Sequence, residues 1–458
     1  MKVIVCGAGQ VGTNIARYLA TENNNVTIID QEADLVRRLS ETLDVQAVVG
    51  HASSPPVLEA AGAGDADLII AVTYSDEVNM VACQVAHSLF SVPTKIARIR
   101  NQAYLDPIWS DLFSRDNMPI DVIISPEIEV ARAISRRLQV PGAFDMIPLG
   151  DGLLRVIGVI CREDCPIIDT PLRQLTALFP DLNIRILAIV RNDRAIIPDA
   201  DDQMLAGDEV YFVAETTHVA RAMATFGYEE PEARRIVIVG GGNIGLTLAE
   251  TLEERHPGVS VRLIESDQER AEFIAQHLDR TMVLHGSGLD PELLEEANVR
   301  SSEVMVAVTN DDETNILASL LAKRYGSQRV ITLLNKNTYH PLITTIGIDA
   351  VVSPRSITAS TILQHVRRGR IRSVHSLRDG FAEVIEAEAL ETSSLINTPI
   401  RDIKLPPDVI IGAVVRGGEV IIARPDTVIK PQDRVILLAA AAVVKKIEKM
   451  FAVRLEFF

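Results

Sequence analysis

Lys2-Val3-Ile4-Val5-Cys6-Gly7-Ala8-Gly9-Gln10-Val11-Gly12 opens the chain, and its plan returns at Arg235-Ile236-Val237-Ile238-Val239-Gly240-Gly241-Gly242-Asn243-Ile244-Gly245. Each stretch is a short Val/Ile strand that runs into G-x-G-x-x-G and then into a helix of apolar periodicity. A second strand follows in each copy, Val26-Thr27-Ile28-Ile29 ending on Asp30 and residues 261–264 ending on Glu265. Strand, glycine turn, helix and terminal carboxylate are the physical parts of a dinucleotide fingerprint. The first glycine permits a tight turn, the second lets backbone approach a pyrophosphate, and the third lets helix pack on strand. The helix N-terminus supplies N–H donors and the positive end of a dipole. One such turn is a weak signal; two in the same frame are a strong one.

Outward from the first turn, strands and helices alternate. Helices are expected over residues 10–20, 33–43 and 76–89, and strands over 45–49, 68–72, 95–99 and 121–124. Near-continuous Val/Ile strands between helices imply a parallel sheet covered on both faces. Right-handed crossovers make it a doubly wound, Rossmann-like domain. Ser125-Pro126-Glu127 starts a further helix with a capping residue, a first-position proline and a first-turn acid, running to about residue 138. Residues 139–148 read as a linker. A smaller β-rich unit follows, with strands over 154–160, 184–190, 195–198 and 209–214, Asn192-Asp193 as a hairpin turn, and a closing helix over 218–226. Gly227-Tyr228-Glu229-Glu230-Pro231-Glu232 is a polar hinge.

After the hinge the programme repeats. Gly50 and Gly286 differ by 236, as do Thr73 and Thr309, Asp76 and Asp312, Glu77 and Glu313, and Asn79 and Asn315. Thr-x-x-Asp-Glu-x-Asn therefore recurs at one fixed offset. The offset becomes 228 for Ser125-Pro126 and Ser353-Pro354, for Asp151-Gly152 and Asp379-Gly380, and for Thr170-Pro171 and Thr398-Pro399; it is 225 for Arg191 and Arg416 and for Asp208 and Asp433. Both kinds of unit are duplicated. The expected fold is α/β, with two Rossmann-like doubly wound parallel-sheet domains at 1–138 and 232–366. Each is followed by a small β-rich α+β domain, at 139–226 and 367–453.

The 458 residues are 47% apolar and 23% charged, as in an ordinary soluble globular protein. The net charge of -17 argues against a nucleic-acid partner. The N-terminus enters a strand directly, with no secretory pattern. The longest apolar run near a terminus, 435–444, is ten residues, against roughly 20 for a membrane-spanning helix. Cys6 and Cys83 sit in core-like patterns, and Cys161 and Cys165 have no second ligand pair, so reduced thiols are expected rather than zinc.

The first candidate nucleotide site comprises Gly7, Ala8, Gly9, Gln10, Val11, Gly12, Asp30, His51, Thr73, Tyr74 and Arg98. Asp30 would accept hydrogen bonds from ribose hydroxyls. It repels a 2′-phosphate, which favours NAD over NADP but does not separate NAD from ATP or ADP. His51 ends strand three near an adenine edge, or is a solvated loop residue. Thr73 ends strand four, and Asp76 and Asp312 stand where helix caps fall. Arg98 is a phosphate or ribose clamp, or a surface arginine. The second site offers Gly240, Gly242, Asn243, Ile244, Gly245, Glu265, Gly286, Thr309 and Asn310. Aligning Tyr104 with Tyr339 puts Leu333 opposite Arg98, which predicts unequal sites. A dehydrogenase needs a proton-transfer group at the nicotinamide and a substrate cleft. The small units show no duplicated His, Lys or Cys pair, so the chain is expected not to be an enzyme. The alternatives are an NAD-dependent oxidoreductase with a duplicated cofactor domain and a nucleotide sensor acting on another partner. The 367–372 cluster, Arg367-Arg368-Gly369-Arg370-Ile371-Arg372, reads as helix-terminal cations or as a contact for anionic lipid or an acidic partner.

The glycine turns, Asp30 and Glu265, the repeated Thr-x-x-Asp-Glu-x-Asn and the small domain after each half together resemble tandem RCK (KTN plus TrkA-C) modules. The likeness extends over essentially the whole chain and is to the regulatory subunits of Trk-type potassium-uptake systems. It implies a chain that binds NAD (NAD+ or NADH), in some members ATP or ADP. It implies a peripheral position on the cytoplasmic face of the inner membrane, under a membrane potassium-translocating subunit, and a homo-oligomer, a tetramer by analogy. The helices at 126–138 and 354–367 would be levers and dimer contacts. The family often carries Gly-Asp after the third strand; here the residues are Gly50-His51 and Gly286-Ser287.

Overall fold

The computed structural model describes residues 1–21, 24–179, 182–192, 194–339, 342, 346–366, 371–377 and 381–451. The first domain runs β1 (Lys2–Cys6), α1 (Gln10–Thr21), β2 (Asn25–Asp30), α2 (Ala33–Thr42), β3 (Gln46–Val49), α3 (Pro55–Ala60), β4 (Leu68–Ala71), α4 (Asp76–Phe90), β5 (Thr94–Arg98) and β6 (Val122–Ile124), and α5 (Pro126–Leu138) leaves it. Its strands form one sheet in the order β3-β2-β1-β4-β5-β6, every pairing parallel. Val3 to Cys6 and all of β4 are buried, as continuous apolar runs require. Register pairs Cys6 with both Ile29 and Ala71. Gly7, Asp30 and Thr73 therefore emerge together at the carboxyl edge, where strand order reverses and open α/β sheets bind ligands.

The next unit contains β7 (Ala143–Leu149), β8 (Leu154–Ile160), α6 (Leu172–Leu178), β9 (Ile184–Arg191), β10 (Arg194–Ile196), β11 (Glu209–Glu215) and α7 (Val219–Thr225). Its sheet is antiparallel, in the order β10-β9-β11-β8-β7. The expected linker at 139–148 is in large part β7. Pro148 and Gly142 disguised it, and β7 is an edge strand, where a missing N–H is tolerated. The hairpin between β9 and β10 carries Asn192 at φ 50°; Asp193 lies outside the described residues.

The second half repeats both units: β12 (Arg235–Val239), α8 (Asn243–Arg255), β13 (Ser260–Glu265), α9 (Gln268–His277), β14 (Met282–His285), α10 (Pro291–Glu296), β15 (Val304–Ala307), α11 (Asp312–Tyr325), β16 (Arg329–Leu333), β17 (Ala350–Val352) and α12 (Pro354–Val366). Then come β18 (Ile371–Leu377), β19 (Ala382–Glu388), β20 (Val409–Arg416), β21 (Glu419–Ile422), β22 (Arg434–Ala440) and α13 (Val444–Phe451). The sheet orders, β14-β13-β12-β15-β16-β17 and β18-β19-β22-β20-β21, match those of the first half. The apolar run at 435–444 divides between β22, a short turn and α13. No described helix is long and apolar enough to cross a membrane.

The first Rossmann-like domain and α12 form one compact unit, and most of the remainder forms another. Thus the helix that ends the second Rossmann-like segment in sequence covers the first one in space. Ile362 is fully buried with Ile15, Leu19 and Ile28, and α12 packs on α1 and β6. In the other unit, the two small sheets share a core in which Ile147, Leu187 and Tyr211 meet Leu377, Val384 and Leu438. Of the basic cluster, residues 367–370 lie outside the described part; Arg372 pairs with Glu388 at 3.0 Å.

The offset of 225 has a physical meaning. Arg191 makes a two-pronged ion pair with Asp208 at 2.8 and 2.7 Å, and Asp208 also accepts the Leu205 N–H at 2.8 Å. Arg416 and Asp433 repeat it at 2.8 and 2.7 Å, with the Lys430 N–H at 2.7 Å. Both aspartates are buried at 1% exposure, so each carboxylate needs these donors. Asp208→Ala and Asp433→Ala are each expected to destabilise the chain by roughly 2–4 kcal/mol. Thermal unfolding checks this, and an unchanged melting temperature contradicts it.

Candidate functional site

At the first glycine turn three requirements separate. Gly7 has φ 109° and donates its N–H to the Ile29 carbonyl at 2.8 Å. A Cβ on Gly12 would lie 1.8 Å from the Gly7 oxygen, so no side chain fits. In front of Gly9 nothing lies within 4 Å of where a Cβ would be, which leaves the backbone accessible. The second copy matches: Gly240 has φ 106°, a Cβ on Gly245 would lie 1.9 Å from the Gly240 oxygen, and Gly242 faces open space. Gln10 and Asn243 begin α1 and α8 exposed, with Val11 and Ile244 half-buried behind them.

The acids anchor the turns. Asp30 accepts the Ala8 N–H at 2.6 Å and the Glu32 N–H at 3.0 Å, one on each oxygen. Glu265 accepts the Gly241 N–H at 2.6 Å and the Asp267 N–H at 2.9 Å. Both Asp30 oxygens and Glu265 Oε2 retain a lone pair for a ribose hydroxyl, while Glu265 Oε1 also accepts the Ser266 hydroxyl at 3.2 Å. The same β2 and β13 ends hold the next loops, through Gly50 N–H to Asp30 O at 2.9 Å and Gly286 N–H to Glu265 O at 2.8 Å. His51 is exposed, with Nδ1 2.8 Å from the Ser53 hydroxyl.

The repeated Thr-x-x-Asp-Glu-x-Asn segment builds the opposite rim. Asn79, fully buried, accepts the Thr73 N–H at 2.8 Å and the Thr73 hydroxyl at 2.7 Å, and donates to the Arg98 carbonyl at 2.9 Å. Asn315 repeats this with Thr309 at 2.8 and 2.7 Å and with the Leu333 carbonyl at 3.0 Å. The shared bond establishes that Leu333 stands where Arg98 stands. Asp76 and Asp312 are not helix caps, contrary to expectation; Ser75 and Asp311 cap α4 and α11. Asp76 instead accepts the N–H groups of Arg100 and Asn101 at 2.9 and 2.8 Å, and Asp312 those of Asn335 and Lys336 at 2.8 Å each. They hold the loops that leave β5 and β16. Tyr74 is 88% exposed, 5.4 Å under the Arg100 guanidinium, and Asn310 is exposed.

The two rims differ in how well they satisfy themselves. In the first copy Arg98 Nε, Asp76 Oδ1 and Glu127 Oε2 are buried with no hydrogen-bond partner among the described residues. Burial holds the Arg98 guanidinium below its ordinary pKa, against the opposing charge of Glu127. Arg100 bonds Glu127 at 2.9 Å through the other carboxylate oxygen. In the second copy both Asp312 oxygens accept backbone N–H groups, Oδ1 from Asn335 and Oδ2 from Lys336, and Asn335, which replaces Arg100, adds a side-chain bond to Oδ1 at 3.0 Å. Leu333 replaces Arg98, and Arg355 replaces Glu127. The second copy has its own cation elsewhere. Arg270, in the first turn of α9, donates to the Gly241 carbonyl at 2.9 Å beside Glu265; its counterpart in α2 is Leu35. Arg270, Arg100 and the asparagine bridges were not singled out from sequence, and Glu127 was read only as a first-turn acid. Asn79 and Asn315 stood inside the repeated motif, and Leu35 against Arg270 was a visible asymmetry.

Because Asn79 and Asn315 each satisfy several buried backbone groups, replacement by alanine is expected to cost roughly 2–4 kcal/mol. Denaturant unfolding of Asn79→Ala and Asn315→Ala checks this. Parent-like midpoints would contradict it.

Fold and sites together define a tandem RCK-type protein. Residues 3–126 and 236–354 match the TrkA-N domain, and residues 156–227 and 384–452 match the TrkA-C domain. The chain belongs to the family of Trk system potassium uptake proteins TrkA. It is 54% identical over 458 residues to the Trk system potassium uptake protein TrkA of Azorhizobium caulinodans, and 45% identical over 462 residues to that of Halomonas elongata; each match covers 100% of both chains. Among solved structures it resembles the GsuK channel, with TM-score 0.62 and 19% identity, covering 99% of this chain and 79% of that one. It also resembles the GsuK channel bound to NAD, with TM-score 0.60, 18% identity and the same coverage. At these identities the likeness concerns the fold.

Proposed function

We propose that this chain is the nucleotide-sensing regulatory subunit of a Trk-type potassium-uptake system. It binds NAD+ or NADH, and ATP or ADP as a second ligand class, and sets the activity of a membrane-embedded potassium-translocating subunit. It docks peripherally on the cytoplasmic face of that subunit as a homo-oligomer, a tetramer in this reading. Its role is binding and switching rather than catalysis.

The observation that carries the reading is the first rim. Three buried polar atoms, on Arg98, Asp76 and Glu127, lack hydrogen-bond partners among the described residues, in the domain that carries the open glycine turn. Buried polar groups are normally satisfied, so an incoming polar ligand is their natural complement. A nucleotide supplies it: phosphates for the α1 N-terminus and the Gly9 backbone, ribose hydroxyls for Asp30, and a further anionic group for Arg98. His51, Thr73 and Tyr74 border that space. In the second copy Gly240 to Gly245, Glu265, Gly286, Thr309 and Asn310 offer the same frame, with Leu333 in place of the Arg98 cation and both Asp312 oxygens already bonded. The first copy is therefore the tighter site. The ligand shifts the chain between arrangements only by its differential affinity for them.

Calorimetric titration of NADH and of ATP into the full chain tests this. Asp30→Ala and Arg98→Ala are each expected to weaken the tighter site by about tenfold, equivalent to about 1.4 kcal/mol. Glu265→Ala leaves that site unchanged. Absence of binding by the parent protein, or equal losses in all three variants, would contradict the assignment.

A further inference from the structure

The first small domain carries a feature that nucleotide binding does not use. Cys161 and Cys165 flank a tight turn after β8, closed by the Cys165 N–H to the Arg162 carbonyl at 3.1 Å. Both thiols are free and buried in one apolar cluster, at 0% and 3% exposure. Interaction with Cys161, aided by the backbone at Ile167 and Ile168, holds the Cys165 thiol below its ordinary pKa; the same interaction and burial push Cys161 up. Burial pushes Cys83 up to about 12 and Cys6 higher still.

The duplicated copy shows that the backbone does not require cysteine here. Ala389 makes the same strand-end bonds as Cys161: the Ala389 N–H reaches Asp433 O at 2.8 Å, as the Cys161 N–H reaches Asp208 O at 2.8 Å. Ser393 closes the same turn, its N–H to the Leu390 carbonyl at 3.0 Å. The dithiol occurs only in the copy that precedes the hinge, and it touches that hinge. Arg162, inside the turn, stacks 4.2 Å from the centre of the Tyr228 ring and lies 3.7 Å from Glu230. Tyr228 donates its hydroxyl to Ile160 O at 2.8 Å.

The geometry points to Cys161 and Cys165 as a peroxide-oxidisable dithiol whose closure to a disulfide tightens the turn that grips the 227–232 hinge. Cys165, as thiolate, attacks one peroxide oxygen; the O–O bond breaks, and the leaving hydroxide takes up a proton to become water. The Cys165 sulfenic acid is then attacked by the Cys161 sulfur. The S–S bond forms, the S–O bond breaks, and a second water leaves with the thiol proton. Two thiols are oxidised and one peroxide is reduced to two waters. Selectivity among the four buried cysteines follows from the thiol of Cys165 being held down while those of Cys6, Cys83 and Cys161 are pushed up, since the thiolate is the nucleophile.

The test treats the reduced full chain with hydrogen peroxide, quenches with catalase, alkylates in denaturant and maps the peptides by mass. The expected result is a dithiothreitol-reversible 161–165 link, formed at least about tenfold faster than any change at Cys6 or Cys83. In Cys161→Ser, oxidation stops at a Cys165 sulfenic acid that dimedone traps. Amide hydrogen exchange at 227–232 is slower in the oxidised parent than in the reduced one. Reduced thiols at both positions after peroxide, equal reaction at Cys6 and Cys83, or sulfinic acid without a link would overturn the dithiol. Unchanged exchange in a linked protein would overturn its action on the hinge.

Discussion

One hydrogen bond, made twice, underlies both halves of this chain. The amide after the first glycine, at Ala8 or Gly241, donates at 2.6 Å to the carboxylate that ends the second strand, Asp30 or Glu265. It ties the mouth of the turn to the neighbouring strand. With Gly12 and Gly245 allowing no side chain against the carbonyl behind them, the turn has one shape open to it. The helix N-terminus, the open glycine and the half-used carboxylate oxygens then face one space. Across the sheet, Asn79 and Asn315 fix the opposite rim by the same means, exchanging bonds with the chain ends of two adjacent strands.

That frame is identical in the two copies, and the differences sit on its edge. Among the described residues the first copy leaves polar atoms of Asp76, Glu127 and Arg98 without partners, whereas in the second Leu333 stands in place of Arg98 and both Asp312 oxygens are bonded. Both copies keep the scaffold, and a handful of substitutions distinguish the two rims. The same division separates the small domains, where Cys161 and Cys165 face the hinge in one copy and Ala389 and Ser393 occupy the equivalent turn in the other.

The two doubly wound sheets were legible in the sequence, because parallel strands covered on both faces must be uninterrupted apolar runs, as Val3 to Cys6 and Leu68 to Ala71 are. The glycine turns and acids were legible because their roles are local. What is set by partners distant in sequence was not. β7 was hidden, since an edge strand tolerates Pro148 and loses its alternation. The position of α12 on the first sheet was hidden, since an apolar helix face does not name the sheet it covers. Asp76 looked like a cap because caps are the commonest use of an acid there; its actual partners, the amides of Arg100 and Asn101, lie more than twenty residues away. The unsatisfied atoms of the first rim depend on side-chain packing that no spacing rule encodes.

The proposed nucleotide response rests on this frame, locked by short bonds and opened at one rim. The most direct measurement is potassium or rubidium flux into vesicles holding the membrane potassium-translocating subunit, with the purified full chain added and NADH or ATP varied. A ligand-driven switch predicts flux that depends on the chain and changes with nucleotide, and an Asp30→Ala chain that supports flux but has lost the nucleotide response. Flux indifferent to the chain, or identical with and without nucleotide, would contradict a regulatory nucleotide sensor.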